Sequence, residues 1–357
     1  SGASDNPGGS GLAGYSIVFD NLALTNPDGT IEVPQTLAVS YGATSPPLPD
    51  GTSFWFHLRA CDLAGNCSLT QHLGPFFIDS TVPGNPAAIL STSHLIAPAL
   101  NTDRTIDMSW SVASDNLSGV DGYSFSFDNL AAVTCDQVKD AEETTLATTS
   151  ATLADGSWYF HLCTRDNAGN WSASATAGPY IIEAAPPQAL VIETVADTDD
   201  GVLTAGEQTV TPITQIVVTF SEPVADPVGN SDPDDVTNPA NYQLIRPGQD
   251  GIFQTVSCIA VGGDDVKTLP TAVDYLAASR TAIARYDSNT SLPAAHYRLL
   301  VCGSTSILDL AGNPLDGDAN GTGGDDRVVP FEVTSADLLH NPNFDSAISG
   351  WTTLPAT

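Results

Sequence analysis

The sequence predicts an all-β fold of tandem β-sandwiches, and three observations lead there. One Met, 30 Gly and 25 Pro among 357 residues describe short strands between many turns. Apolar residues alternate in Tyr15-x-Ile17-x-Phe19 and Tyr123-x-Phe125-x-Phe127, the period of a sheet with one buried face. An internal repeat runs through the first half of the chain, and the length suits two to three domains.

The repeat sets the first two domains, residues 1–82 and 83–186. Ala3-Ser-Asp-Asn6 and Gly14-Tyr-Ser-Ile-Val-Phe-Asp-Asn-Leu-Ala23 recur as Ala113-Ser-Asp-Asn116 and Gly122-Tyr-Ser-Phe-Ser-Phe-Asp-Asn-Leu-Ala131. Asp50-Gly-Thr-Ser-Phe-Trp-Phe-His-Leu58 matches Asp155-Gly-Ser-Trp-Tyr-Phe-His-Leu162, and Asp62-Leu-Ala-Gly-Asn66 matches Asp166-Asn-Ala-Gly-Asn170. Proline-bearing joints, Asp79–Pro83 and Glu183–Pro187, are semi-rigid because proline fixes its own φ. The second copy has an extra strand-like stretch, Ile106–Val112, with Trp110 expected in its core. The first copy has no counterpart. The chain therefore reads as a piece of a longer polypeptide. The missing strands are expected from upstream residues or from a neighbouring subunit, with the tail after Ala336 as a candidate donor.

The third domain is expected over residues 187–334. Gln215–Val224, Ala295–Cys302 and Val328–Val333 read as strands, and Asp309-Leu-Ala-Gly-Asn313 repeats the turn motif a third time. Thr271–Ser279 is open between helix, strand and loop. Residues 335–357 form a tail too short to fold alone.

Lys and Arg number 10 against 42 Asp and Glu, a net charge of −32. Such a field repels phosphate backbones and anionic lipid, which excludes nucleic-acid and membrane-surface binding. No apolar run approaches the ~18 residues of a membrane span. With 41% hydrophobic and only 15% charged residues, the chain is not disordered.

Six cysteines fall two per domain and form no metal-binding spacing. They are expected as disulfides Cys61–Cys67, Cys135–Cys163 and Cys258–Cys302, implying an oxidising, extracellular or cell-surface location; the alternative is six buried thiols. Asp316, Asp318, Asn320 and Thr322, closed by Asp325 or Asp326, have the oxygen spacing of a calcium loop, with Arg327 where a closing Glu would stand. Asp197, Asp199, Asp200 and Glu207 form a second, shortened candidate. The first loop reads equally as a Gly/Asp-rich solvated turn, and the second reads more readily as a polar inter-strand loop. The Asp-x-Ala-Gly-Asn turns need no ligand, since Asp accepts backbone N–H groups while Gly and Asn tolerate positive φ. A calcium ion at the joints using Asp79, with Glu183 keeping the charge in the second joint, is a further option.

No nucleophile or zinc motif is present, and His57 and His161 at equivalent strand positions read as packed residues. Trp55, Trp158, Trp171, Tyr123 and Tyr159 could make a sugar-stacking face, although Trp158 reads better as core. Trp171 stands where the first copy has Cys67, so packing is expected to replace the bridge there.

At these motifs the first two domains resemble bacterial immunoglobulin-like or fibronectin-type-III-like modules. The third is similar to the immunoglobulin-like domain of S-layer proteins through Val218-Thr-Phe-Ser-Glu-Pro-Val224, Asn238-Pro-Ala-Asn-Tyr242 and Asp309-Leu-Ala-Gly-Asn-Pro-Leu315. The tail resembles the opening strand of a jelly-roll carbohydrate-binding module. The resemblance implies tandem immunoglobulin-like sandwiches in an extended multidomain rod without enzymatic activity. Its expected role is structural or adhesive: a calcium-stiffened spacer or filament subunit, with copies of itself, surface proteins or glycans as partners. The alternative is the stalk and glycan-binding region of a secreted polysaccharide-degrading enzyme.

Overall fold

A computed structural model describes residues 3–36, 42–194, 201–210, 212–286 and 291–334. Strands dominate it, and the one helical turn among the described residues is the 3-10 turn Pro239–Asn241. The fold is tandem β-sandwich, and the chain divides into two compact units. Residues 1–99 and 103–182 make the first unit; residues 100–102 and 183–357 make the second.

Both repeat copies lie in the first unit. Among the described residues the first copy forms one antiparallel sheet in the order Val33–Pro34, Leu12–Asp20, Gly51–Asp62, Gln71–Ile78. The second copy places the same arrangement, Val120–Asp128 between Ala141–Glu142 and Gly156–Asp166 with Ala175–Ile182 next to Gly156–Asp166, opposite a three-stranded sheet. That facing sheet is Ala147–Thr149, Asp107–Trp110 and Ile89–Ser91. The registers coincide: Phe19 pairs with Phe56 as Phe127 pairs with Phe160. Alternation buries one side chain in two, so Ile106, Met108 and Trp110 meet Tyr123, Phe160 and Leu162 in the core. Trp110 stacks on Phe160 at 5.8 Å and meets Tyr123 edge-on at 5.5 Å.

The second unit packs two sheets. One runs Ala189–Thr194, Gln215–Phe220, Thr281–Arg285, Ala272–Leu276. The other runs Glu207–Thr209, Arg327–Val333, Ala295–Val301, Tyr242–Arg246, Val266–Thr268, with its first pair parallel. The Thr271–Ser279 stretch is thus a strand, Ala272–Leu276, because its alternation matches the pleat and it pairs with Thr281–Arg285. Ile216, Val218, Phe220, Leu299 and Phe331 fill the core between the sheets. Ile245 and Leu300 turn to the opposite face, where Cys258, Cys302 and Phe253 cover them.

All three expected disulfides are closed, with Cα–Cα distances of 4.0 Å for Cys61–Cys67, 6.2 Å for Cys135–Cys163 and 5.7 Å for Cys258–Cys302. No free cysteine remains, the pattern of an oxidising compartment. Among the described residues no helix is long and apolar enough to cross a membrane.

Candidate functional site

The turn Asp-x-Ala-Gly-Asn has one construction in all three occurrences. Its glycine has positive φ, 88° at Gly65, 97° at Gly169 and 95° at Gly312, a conformation that costs glycine nothing and other residues more. Its aspartate accepts backbone and side-chain N–H groups of the asparagine four residues on. In the second copy, Asp166 Oδ1 accepts Asn170 N and Oδ2 accepts Asn170 Nδ2, both at 2.8 Å. Asp62 holds Asn66 and Asp309 holds Asn313 in the same way.

The oriented amide then has donor capacity for a distant partner. Asn170 Nδ2 donates to the carbonyl of Asp79 at 3.1 Å, and Asn313 Nδ2 donates to the carbonyl of Glu183 at 3.2 Å and to its Oε2 at 3.1 Å. Each contact fastens the acidic residue that opens a proline-bearing segment. The motif is therefore more than a local turn, which sequence reasoning missed because its partners lie 91 and 130 residues away. The signal was available in the pairing of each such turn with an acid-plus-proline joint.

Carboxylates gather at these points. Oxygens of Asp79, Asp115 and Asp166 lie within 4.8 Å of one another, as do those of Glu183, Glu222 and Asp309. Asp115 Oδ2 accepts Leu117 N and Gly119 N, whereas its buried Oδ1 has no hydrogen-bond partner. Burial, then the adjacent Asp309 and Glu222, push the Glu183 carboxyl up to about 7.

The Asp316 loop assembles part of its expected ligand set. Carboxylate oxygens of Asp316, Asp318 and Asp325 lie within 4.8 Å of one another. Asp316 accepts Asn320 N at 3.0 Å, Gly321 N at 2.9 Å and Gln188 Nε2 at 2.8 Å. Burial opposes its ionisation, but those N–H groups outweigh it and hold the carboxyl below its ordinary range. Burial, with Asp318 alongside, holds Asp325 above that range. Asn320 Oδ1 accepts Thr322 N, and Thr322 is exposed.

Asp326 lies apart from this group. Its carboxylate accepts Cys258 N at 2.6 Å, Gly303 N at 3.0 Å and Ser304 N at 2.9 Å, so it ties down both ends of the Cys258–Cys302 bridge. Asp197, Asp199 and Asp200 of the second candidate loop lie outside the described residues, as does the tail 335–357. Glu207 Oε2 accepts Thr204 N and the Thr204 hydroxyl.

His57 and His161 are packed strand residues. Both are fully buried. His161 Nε2 faces the Leu130 carbonyl at 2.9 Å and the Asp128 carboxylate at 3.3 Å, while Nδ1 lies 2.9 Å from Thr176 Oγ1. His57 stands equivalently between Asp20 and His72. Three of the aromatic set are engaged separately: Tyr123 is buried in the second-copy core, Trp158 donates to the Ala154 carbonyl and packs against that core, and Trp171 lies under Arg165.

No family model matches the chain. It is 30% identical over 167 residues to chitinase A1 of Niallia circulans, covering 47% of this chain and 21% of that protein. It is 29% identical over 184 residues to exoglucanase B of Cellulomonas fimi, covering 50% of this chain and 15% of that protein. The chain thus aligns with about a fifth or less of the curated relatives it matches. Among solved structures, fibronectin(III)-like modules of Clostridium thermocellum CbhA are 10% identical and cover 71% of this chain and 98% of their own, with a TM-score of 0.19.

Proposed function

We propose that this chain is a non-catalytic spacer region of a secreted polysaccharide-degrading enzyme. The alignment with both a chitinase and an exoglucanase carries the reading. Those names differ in substrate, and a stretch similar to both is suited to a role independent of either substrate. The comparisons favour this over a filament or adhesive subunit. The mechanical element is the Asp-x-Ala-Gly-Asn turn, whose asparagine fastens the joint residue Asp79 or Glu183. Three disulfides suit secretion.

Calcium belongs to the same reading. Asp316, Asp318 and Asp325 supply three hard oxygen donors, the kind of ligand that Ca²⁺ takes. Asp316 also accepts three N–H groups in this loop.

Negative-stain electron microscopy of the purified protein tests the spacer reading against assembly. Discrete particles at all concentrations are expected, and ordered filaments would overturn it. Calorimetric titration with Ca²⁺ tests the loop: one site lost in Asp318→Asn is expected, and unchanged binding in that variant places the ion elsewhere.

A further inference from the structure

The loop that follows strand Gln215–Phe220 brings two carboxylates together and supplies no cationic residue. No Lys, Arg or His occurs between Trp171 and Arg246, and among the described residues no ion pair reaches Asp226 or Asp235. Asp235 is fully buried, at 0% exposure. Its Oδ1 accepts the N–H of Thr237 at 2.7 Å and the Thr237 hydroxyl at 2.6 Å. Its Oδ2 is buried without a hydrogen-bond partner. A buried carboxylate oxygen that lacks both a donor and a counter-charge is costly. The group that stands against this carboxylate is a second acid, Asp226. Burial of its carboxyl, then Asp235, raises Asp226 from its ordinary value of 3.8. Backbone bonds fix the pair from both limbs of the loop. Val236 N donates to the Ala225 carbonyl at 2.9 Å, and Ala225 N donates to the Leu308 carbonyl at 2.8 Å. Asn241 Nδ2 donates to the Asp235 carbonyl at 2.8 Å.

We propose that Asp226 and Asp235 hold a divalent, oxygen-seeking cation of the Ca²⁺ class, with Asp235 Oδ2 as its innermost ligand. Carboxylate oxygens are the donors such ions select, and water completes the shell on the exposed side of Asp226. One divalent charge offsets both carboxylates, which a single shared proton does not. The loop contains no His or Cys, the ligands that softer metals require. Because Thr237 occupies Oδ1 and leaves Oδ2 free for the ion, the side chain is oriented before the ion arrives. The site is separate from the Asp316 loop, whose carboxylates form a group without Asp226 or Asp235. It does not rest on the spacer reading.

Calorimetric titration of the full chain with CaCl₂ tests the site. Asp226 is exposed, so Asp226→Asn removes one carboxylate without touching the core. That variant is expected to bind one Ca²⁺ fewer than the unaltered chain. Asp226→Asn combined with Asp318→Asn is expected to bind one fewer than Asp318→Asn alone, which keeps this site apart from the Asp316 loop. Hydrogen exchange at residues 225–237 is expected to slow when Ca²⁺ replaces chelator on the unaltered chain, and to stay the same in Asp226→Asn. If that variant misfolds, the exchange comparison on the unaltered chain decides alone. Equal Ca²⁺ stoichiometry in Asp226→Asn, or exchange at residues 225–237 unchanged by saturating Ca²⁺, would overturn the proposal. So would an Asp226→Asn chain whose melting temperature rises equally with and without Ca²⁺, the mark of a proton shared between the two carboxyls.

Discussion

The guanidinium of Arg165 lies over the ring of Trp171, 5.8 Å from its centroid, at the position where the first copy bonds Cys61 to Cys67. Both pairs form the antiparallel bridge that flanks an Asp-x-Ala-Gly-Asn turn. Hairpin closure is therefore met covalently in one copy and by cation–π packing in the other. Replacing both Cys61 and Cys67 by Ser is expected to cost about 2 kcal/mol, from the loop-closure entropy of a short ring. Trp171→Ala is expected to cost about 1 kcal/mol. The 44-residue separation of Cys258 and Cys302 makes its removal worth about 4 kcal/mol on the same model. Denaturant unfolding of each variant measures the order.

Core truncation separates the two repeat copies. Phe160→Ala removes a fully buried ring stacked on Trp110 and is expected to destabilise by about 3–5 kcal/mol. Phe56→Ala, at the equivalent but partly exposed position, is expected to cost less than half of that. Equal costs, read from chemical denaturation followed by hydrogen exchange in each copy, would contradict that difference in burial.

Strand identity and cysteine pairing were legible in the sequence because they follow from local alternation and from cysteines grouped within domains. Tyr15-x-Ile17-x-Phe19 and Gln215–Phe220 needed no tertiary information. Thr271–Ser279 was ambiguous until its partner strand Thr281–Arg285 was known. The role of Asp326 was illegible, since proximity to Asp325 in sequence says nothing of the backbone N–H groups at Cys258 and Gly303 that claim it. The reach of Asn170 and Asn313 was hidden for the same reason: a turn residue announces its φ and its near neighbours, but not a carbonyl from a remote segment.

Asn170→Ala tests that reach. The substitution removes the donor to the Asp79 carbonyl and one partner of the buried Asp166 carboxylate, at an expected cost of about 1–3 kcal/mol. Limited proteolysis should cut at residues 79–83 faster in the variant, with Asn66→Ala as a control that leaves this site unchanged.

Glu183 gives the second unit a pH dependence. Its carboxyl is raised from an ordinary value of 4.5 to about 7 by burial and by Asp309 and Glu222. The folded state therefore binds more protons than the unfolded state between these values, and stability falls as pH rises through that window. The penalty is absent below about 4.5 and complete above about 7. Glu183→Gln should raise the melting temperature at pH 8, leave it unchanged at pH 4, and flatten the slope between. A variant equally stabilised at both pH values would refute the assignment.

Hydrolysis of chitin and cellulose bears most directly on the spacer reading. The native secreted product containing this sequence should release soluble sugar from one of these polymers, while residues 1–357 alone release none. Turnover by residues 1–357 alone, or none by the native product on either polymer, would contradict the account.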